Sequence, residues 1–134
     1  MSISIESLTP LIQVFNMPRS LAFYRDLLGF EVVMDSGGGD DSSWVWIRLD
    51  GCDLMLNDQY EPGHAPDAPP PERERWHRDT GLFFAADPDA VYEYLTAKGL
   101  SPKPPFDTSY GMRHLSLLDP DGYNLCFQRS IESE

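Results

Sequence analysis

The chain has 134 residues, 41% of them apolar, with 22 acidic against 10 basic side chains and a formal net charge of −12 at pH 7. That length suits one domain with a real core, and the acidic balance excludes a nucleic-acid or anionic-membrane binder, either of which needs a basic face. No apolar run reaches the about 18 residues of a membrane span, and the N-terminus lacks a signal-peptide pattern, so a cytoplasmic protein is expected.

Leu8 to Phe15 is apolar and rich in β-formers and reads as a strand. Asn16 can cap a helix whose first turn holds Met17 and Pro18, whose inward residues are Leu21, Tyr24 and Leu28, and which Gly29 ends. Strands follow at Phe30 to Asp35, Ser43 to Leu49 and Cys52 to Asp58, the last two joined at Asp50-Gly51, a hairpin signal. Module one, residues 5–58, is therefore βαβββ. Residues 59–79 hold five of the twelve prolines and read as a Pro-rich loop or lid.

Module two, residues 80–129, repeats the order. Gly81 to Ala86 is a strand, Asp87 an N-cap with Pro88 behind it, Val91 and Leu95 face inward, and Gly99 stops the helix. The two caps are 71 positions apart and the two stop glycines 70, so the helices match almost residue for residue. Strands at Pro102 to Thr108, Met112 to Leu118 and Tyr123 to Gln128 complete the module, the last two joined by the turn Asp119-Pro120-Asp121-Gly122. The predicted fold is α+β in one domain: two tandem βαβββ modules forming a curved mixed sheet around a cavity, with helices on its outer face. A concavity between two such halves is where a small molecule would sit.

Alternation along the strands nominates the residues that line it. In Ser43 to Leu49, Val45, Ile47 and Leu49 take one face and Trp44, Trp46 and Arg48 the other. The aliphatic face belongs against the helix, leaving two indoles and a guanidinium for a flat, partly apolar ligand, with Arg48 available to an anionic or carbonyl group. Trp and Arg are equally suited to a subunit interface. The same count adds Leu11 and Gln13, Leu82 and Phe84, and Asn124 and Gln128. His114 falls with Ser116 and Leu118 on the cavity side and is the one weak candidate for an acid or base, with no nucleophile or metal visible beside it; an ordinary hydrogen-bonded strand histidine is the alternative. His64 and His77 read as exposed loop residues. Tyr110 reads as a turn tyrosine near the rim, Arg113 as a surface group, and Cys52 and Cys126 as buried free thiols rather than a disulfide.

The stretch Ser20-Leu21-Ala22-Phe23-Tyr24-Arg25-Asp26-Leu27-Leu28-Gly29-Phe30 and the tail Asp119-Pro120-Asp121-Gly122-Tyr123-Asn124-Leu125-Cys126-Phe127-Gln128, set in a doubled βαβββ unit, resemble the glyoxalase, bleomycin-resistance and extradiol-dioxygenase superfamily, also called vicinal oxygen chelate. The resemblance covers nearly the whole chain. It implies the fold, and a function drawn from metal-dependent isomerases, epimerases and dioxygenases, thiol transferases, or metal-free drug-binding proteins. In the metal-binding relatives a His, Gln or Glu on the first strand and a Glu on the last strand of each half hold a divalent ion. The matching positions here are Thr9, Met55, Thr80 and Cys126. Neutral hydroxyls cannot replace carboxylate or imidazole, and a thioether with a thiol is a weak set even for Cu(I). A slip of one residue brings Leu8, Pro10, Leu125 or Phe127 and restores nothing; Gln13 and Asn124 are the cavity-side groups that could offer oxygen.

The resemblance therefore implies the bleomycin-resistance-like branch: a metal-free protein, without cofactor, that binds and sequesters a small molecule in a cleft completed by a homodimer. The acidic surface suits a cationic ligand. The alternative is an atypical glyoxalase- or dioxygenase-like enzyme, a lyase, isomerase or oxidoreductase, using His114. A third reading, an interaction dimer without ligand, buries Trp44 and Trp46 between subunits.

Overall fold

The computed structural model describes residues 2–58 and 68–131. The chain divides into two compact units, Met1–Pro69 and Pro70–Glu134.

In the first unit, β1 (Leu11–Val14) leads into α1 (Met17–Leu21), which continues as a π-helical stretch over Ala22–Leu27; β2 (Glu31–Asp35), β3 (Trp44–Leu49) and β4 (Cys52–Asp58) follow. β1 starts later than expected because Pro10 has no N–H for a ladder, although its carbonyl still accepts from Met55 N at 2.8 Å. Two side-chain oxygens settle the start of α1: the amide Oδ1 of Asn16 accepts from Arg19 N at 3.1 Å, and the carboxylate Oδ2 of Asp58, at the end of the neighbouring β4, accepts from Met17 N at 3.1 Å. Gly29, at φ 96°, then reverses the chain. The strands order as β1-β4-β3-β2, with β1 parallel to β4 and the other pairs antiparallel. One face of this sheet is the core: Ile12, Val14, Val45, Ile47, Leu54 and Leu56 are all buried, as are Leu21 and Tyr24 from the helix. Leu49, expected in that layer, and Cys52, expected to be buried, instead lie exposed where the hairpin turns at Asp50 (φ 51°).

The second unit opens with a helix, not a loop. Residues 59–67, with His64, lie outside those described, but α2 (Pro71–Arg78) occupies most of the remainder of the segment read as a lid. His77, expected to be exposed, is buried there: its ring stacks on Tyr123 at 4.0 Å and 11°, and Nδ1 donates to the Asp121 carbonyl at 2.7 Å. α2 thus docks on the Asp119-Pro120-Asp121-Gly122 turn. Asp119 Oδ1 holds the turn by accepting from Asp121 N and Tyr123 N, both at 2.9 Å. Gly122 sits at φ 92°, and a Cβ there would meet the Glu74 Cγ of α2 at 2.9 Å, so glycine is required twice over.

β5 (Gly81–Ala85), α3 (Pro88–Ala97), β6 (Phe106–Asp107), β7 (Met112–Leu118) and β8 (Asn124–Ser130) build a second sheet in the order β5-β8-β7-β6, again with its first and last strands parallel. α3 starts on Asp87, whose Oδ1 accepts from Asp89 N at 3.1 Å, and stops at Gly99, φ 92°. β6 is shorter than expected because Pro102, Pro104 and Pro105 lack the N–H groups a strand needs. Each module therefore closes its own four-stranded sheet with helix against one face. Among the described residues, no helix is long and apolar enough to cross a membrane.

Candidate functional site

Residues paired across a ladder share a face, so the registers decide what each sheet presents away from its helix. In the first unit Trp44, Trp46 and Arg48 lie opposite Asn57, Met55 and Asp53, and Leu11 and Gln13 lie opposite Met55 and Asn57. The expected grouping of Trp44, Trp46, Arg48 and Gln13 is thus one face of one sheet. The two indoles stand edge to face, centroids 6.5 Å apart at 67°.

Asp53, which the sequence reading passed over, organises this face. Its Oδ2 accepts from the Trp46 indole Nε1 at 3.0 Å, while Arg48 donates through Nε to Oδ1 at 2.7 Å and through Nη2 to Oδ2 at 3.0 Å. The guanidinium expected to meet an anionic ligand already presents one edge to a carboxylate, so a ligand anion has to compete with a bidentate internal partner. What the face offers is a fixed aromatic wall on a charge-compensated base. Beside it, Asn57 Nδ2 donates to Gln13 Oε1 at 3.2 Å. The hairpin carried the signal: a two-residue loop at Asp50-Gly51 pairs Leu49 with Cys52 and hence Arg48 with Asp53.

The hydrogen bonds from Arg48, reinforced by the one from Trp46, hold the Asp53 carboxyl below its ordinary value. Because it titrates lower in the folded protein than in the unfolded chain, its stabilising contribution is complete above the unfolded value and is lost as pH falls through the folded one. Trp46 emission is therefore expected to stay constant as pH falls to about 4 and to change only below it. Asp53→Asn, which removes the titrating group, abolishes that change; an acid transition in Trp46 emission retained by the variant would contradict the assignment.

In the second unit the same reasoning corrects two residues of β5: Leu82, expected toward the cavity, lies opposite the fully buried Leu125 and so faces the helix. Phe84, expected toward the cavity, lies opposite Phe127, stacks on it at 5.0 Å and 16°, and Phe127 in turn lies opposite Leu115, which is buried. Phe84 therefore belongs to the helix-covered face, and its neighbour Phe83, 63% exposed and opposite Cys126, holds the open one. A shift of one residue exchanges the faces of a strand. His114, Ser116, Asn124, Cys126 and Gln128 share the open face with Phe83, and Phe106 of β6 lies opposite His114 with its ring 5.5 Å away.

His114 has partners on both ring nitrogens: Nδ1 lies 3.0 Å from Gln128 Oε1, and Nε2 lies 2.8 Å from Ser116 Oγ. It is buried, whereas Ser116 is exposed. Asn124 Oδ1 is buried with no hydrogen-bond donor among the described residues. A cavity of about 500 Å³ opens beside β6 and is lined by Lys103, Pro104, Phe106, Leu115 and Ser116. Arg113 is tied to Asp89 and Asp107 at 3.0 and 3.1 Å, as a salt-bridged surface group, and Tyr110 is exposed.

The four positions matched to the relatives' metal ligands do not suit a divalent ion. Thr9 precedes β1 and brings only a hydroxyl, and Met55 brings a thioether. Thr80 uses its hydroxyl to donate to the Trp76 carbonyl at 3.1 Å. Burial pushes the Cys126 thiol up, against a smaller opposing effect of its hydrogen bond with Ser116, so the thiolate that a metal needs is disfavoured. Among the described residues, no three His, Cys, Asp or Glu side chains group where they could share a metal ion.

A family model described as Glyoxalase/Bleomycin resistance protein/Dioxygenase superfamily matches residues 5–127. A comparison with curated protein sequences gave no match. Among solved structures, the chain is similar to the bleomycin-binding protein from bleomycin-producing Streptomyces verticillus complexed with copper(II)-bleomycin, at 20% identity and TM-score 0.67, covering 94% of this chain and 97% of that one. It is also similar to TnmS3, an antibiotic-binding protein from Streptomyces sp. CB03234, at 22% identity and TM-score 0.65, covering 96% and 99%. Lactoylglutathione lyase from Agrobacterium tumefaciens is similar as well, at 16% identity and TM-score 0.64, covering 93% and 94%. At such identities these likenesses speak to the fold.

Proposed function

The chain belongs to the Glyoxalase/Bleomycin resistance protein/Dioxygenase superfamily, and from that premise we propose that it is a cytoplasmic, homodimeric protein that takes up a planar or amphipathic small molecule without a metal ion. The observation that carries this reading is the Trp44/Trp46 wall on the open face of the first sheet, braced by Asp53. A pair of indoles held in one geometry gives a flat ligand area to stack on at little cost in side-chain ordering. The net charge of −12 favours a cation over an anion by long-range attraction, and the engagement of Arg48 with Asp53 points the same way. Two of the structural neighbours are named for binding an antibiotic, which is consistent with a fold of this kind serving sequestration. The chemistry of Thr9, Met55, Thr80 and Cys126 supports the metal-free half of the reading.

The test is a titration of the protein, purified without chelator, with planar aromatic and cationic amphipathic compounds, followed by tryptophan fluorescence. A Trp76→Phe background removes the emission of an indole that is 66% exposed on α2. Saturable quenching with no stoichiometric divalent metal is expected. A stoichiometric divalent ion whose removal abolishes binding would overturn the proposal.

A further inference from the structure

We propose that Ser116, His114 and Gln128 form an acyl-transfer site that accepts small carboxylic esters from the cavity beside β6. The proposal concerns the second sheet alone and stands apart from ligand binding on the first. Gln128 Oε1 has no proton to give, so the 3.0 Å contact requires His114 Nδ1 to carry one. In the neutral imidazole Nε2 is then bare, and with Cys126 held as a thiol the single hydroxyl proton of Ser116 goes to this nitrogen, 2.8 Å from Oγ, and not to the sulfur. A serine hydroxyl on a histidine nitrogen, with the other nitrogen held by a side-chain oxygen, is the arrangement of an activated nucleophile, its base and the group that orients the base. The three come together because His114 and Ser116 are two apart on β7, and the antiparallel register sets Gln128 opposite His114.

Access is provided on the side where it is needed. His114 is buried and shielded by Phe106, whereas Ser116 is exposed and lines the cavity of about 500 Å³. Pro104, Phe106 and Leu115 make the lining apolar enough for the body of a small ester. Lys103 brings positive charge to it, suited to the oxyanion that develops on an attacked carbonyl. Cys126, the other nucleophile on this face, is buried and held as a thiol.

The reaction is balanced by water. Ser116 Oγ bonds to the carbonyl carbon as its proton passes to His114 Nε2; the bond from that carbon to the alcohol oxygen breaks, and the alcohol leaves with the proton. Water then gives a proton to Nε2 and its oxygen to the acyl carbon, the acyl–Ser116 bond breaks, and Ser116 recovers its proton as the acid departs. Gln128 is a positioning residue. Being neutral, it fixes the tautomer but lends no charge to the imidazolium, so the acyl group is expected to form faster than it is released.

The full chain is incubated with p-nitrophenyl acetate, and release of p-nitrophenolate is followed together with peptide mass spectrometry. The expected result is a burst approaching one equivalent, with acetyl on Ser116. Ser116→Ala, at an exposed position that does not threaten folding, removes the burst. His114→Ala slows it by about 10²-fold or more. Gln128→Glu, which supplies the missing charge, accelerates it, and Gln128→Ala releases the Nδ1–H tautomer, seen in the imidazole ¹⁵N shifts of His114. Acetylation confined to Lys98, Lys103 or the N-terminus, or an unchanged burst in Ser116→Ala, overturns the proposal. So does Gln128→Glu that is folded but no faster.

Discussion

Tyr24→Ala is expected to destabilise the first unit by about 3–5 kcal/mol, the range for removing a large ring from a closed core. Tyr24 is completely buried, edge-on to Phe23 at 5.0 Å and 87° and to Phe30 at 5.7 Å and 84°. It lies in the π-helical stretch, and its carbonyl accepts from Phe30 N at 2.9 Å where the chain leaves the helix for β2. Truncating it empties the centre of the layer between helix and sheet, because neighbours pinned by backbone hydrogen bonds collapse only partly into the space. Urea denaturation followed by circular dichroism should show a lower midpoint with the slope preserved. Tyr24→Phe, which keeps the ring, should retain most of the stability. A loss below about 1 kcal/mol for the alanine variant would show that the ring is not the packing centre of the unit. The open face depends on this layer: β3 carries Val45 and Ile47 into it on one side and Trp44 and Trp46 away from it on the other.

Trp46→Ala is expected to weaken ligand binding by about 2 kcal/mol, roughly thirtyfold in Kd, as for a buried aromatic anchor. Its indole is the member of the pair fixed by a hydrogen bond, so its loss removes both stacking area and the brace on Trp44. The fold should survive, since the substitution leaves Arg48 on Asp53 and touches nothing in the core. Isothermal titration with the best compound of the fluorescence screen, alongside gel filtration, reads both properties. Unchanged affinity would remove the tryptophan wall from the binding site, and dissociation of the proposed dimer would assign that wall to a subunit interface.

The repeat was legible because each long helix is punctuated by residues with few alternative uses. Asn16, Pro18 and Gly29 in one half, and Asp87, Pro88 and Gly99 in the other, satisfy helix ends or adopt conformations that other side chains resist. α2 was not legible, for the converse reason. Pro71-Glu72-Arg73-Glu74-Arg75-Trp76-His77-Arg78 has no apolar stripe, and the contact that holds it is a histidine ring on a tyrosine 46 positions later.

The candidate site divides in the same way. Period two grouped Trp44 with Trp46 correctly because aliphatic residues stand between them and mark the buried face. Gly81-Leu82-Phe83-Phe84-Ala85 has no such contrast, since two phenylalanines in succession leave the phase to be set by the partner strand, and alternation alone puts Leu82 and Phe84 on the wrong face. His114 looks isolated in the sequence because nothing marks its nearest polar neighbour on the same strand, Ser116, as a nucleophile. The third member, Gln128, meets it only through the pairing of β7 with β8.

The docking of His77 on Tyr123 also fixes where the second half of the molecule begins. Read as a repeat, that half starts at Thr80; read through its stacking and the Glu74 contact at Gly122, it starts at Pro70. The duplicated halves are therefore unequal pieces. The second carries an N-terminal clasp on its own final hairpin that the first has no counterpart for among the described residues, and excision or permutation of this half has to keep the clasp with the hairpin it closes.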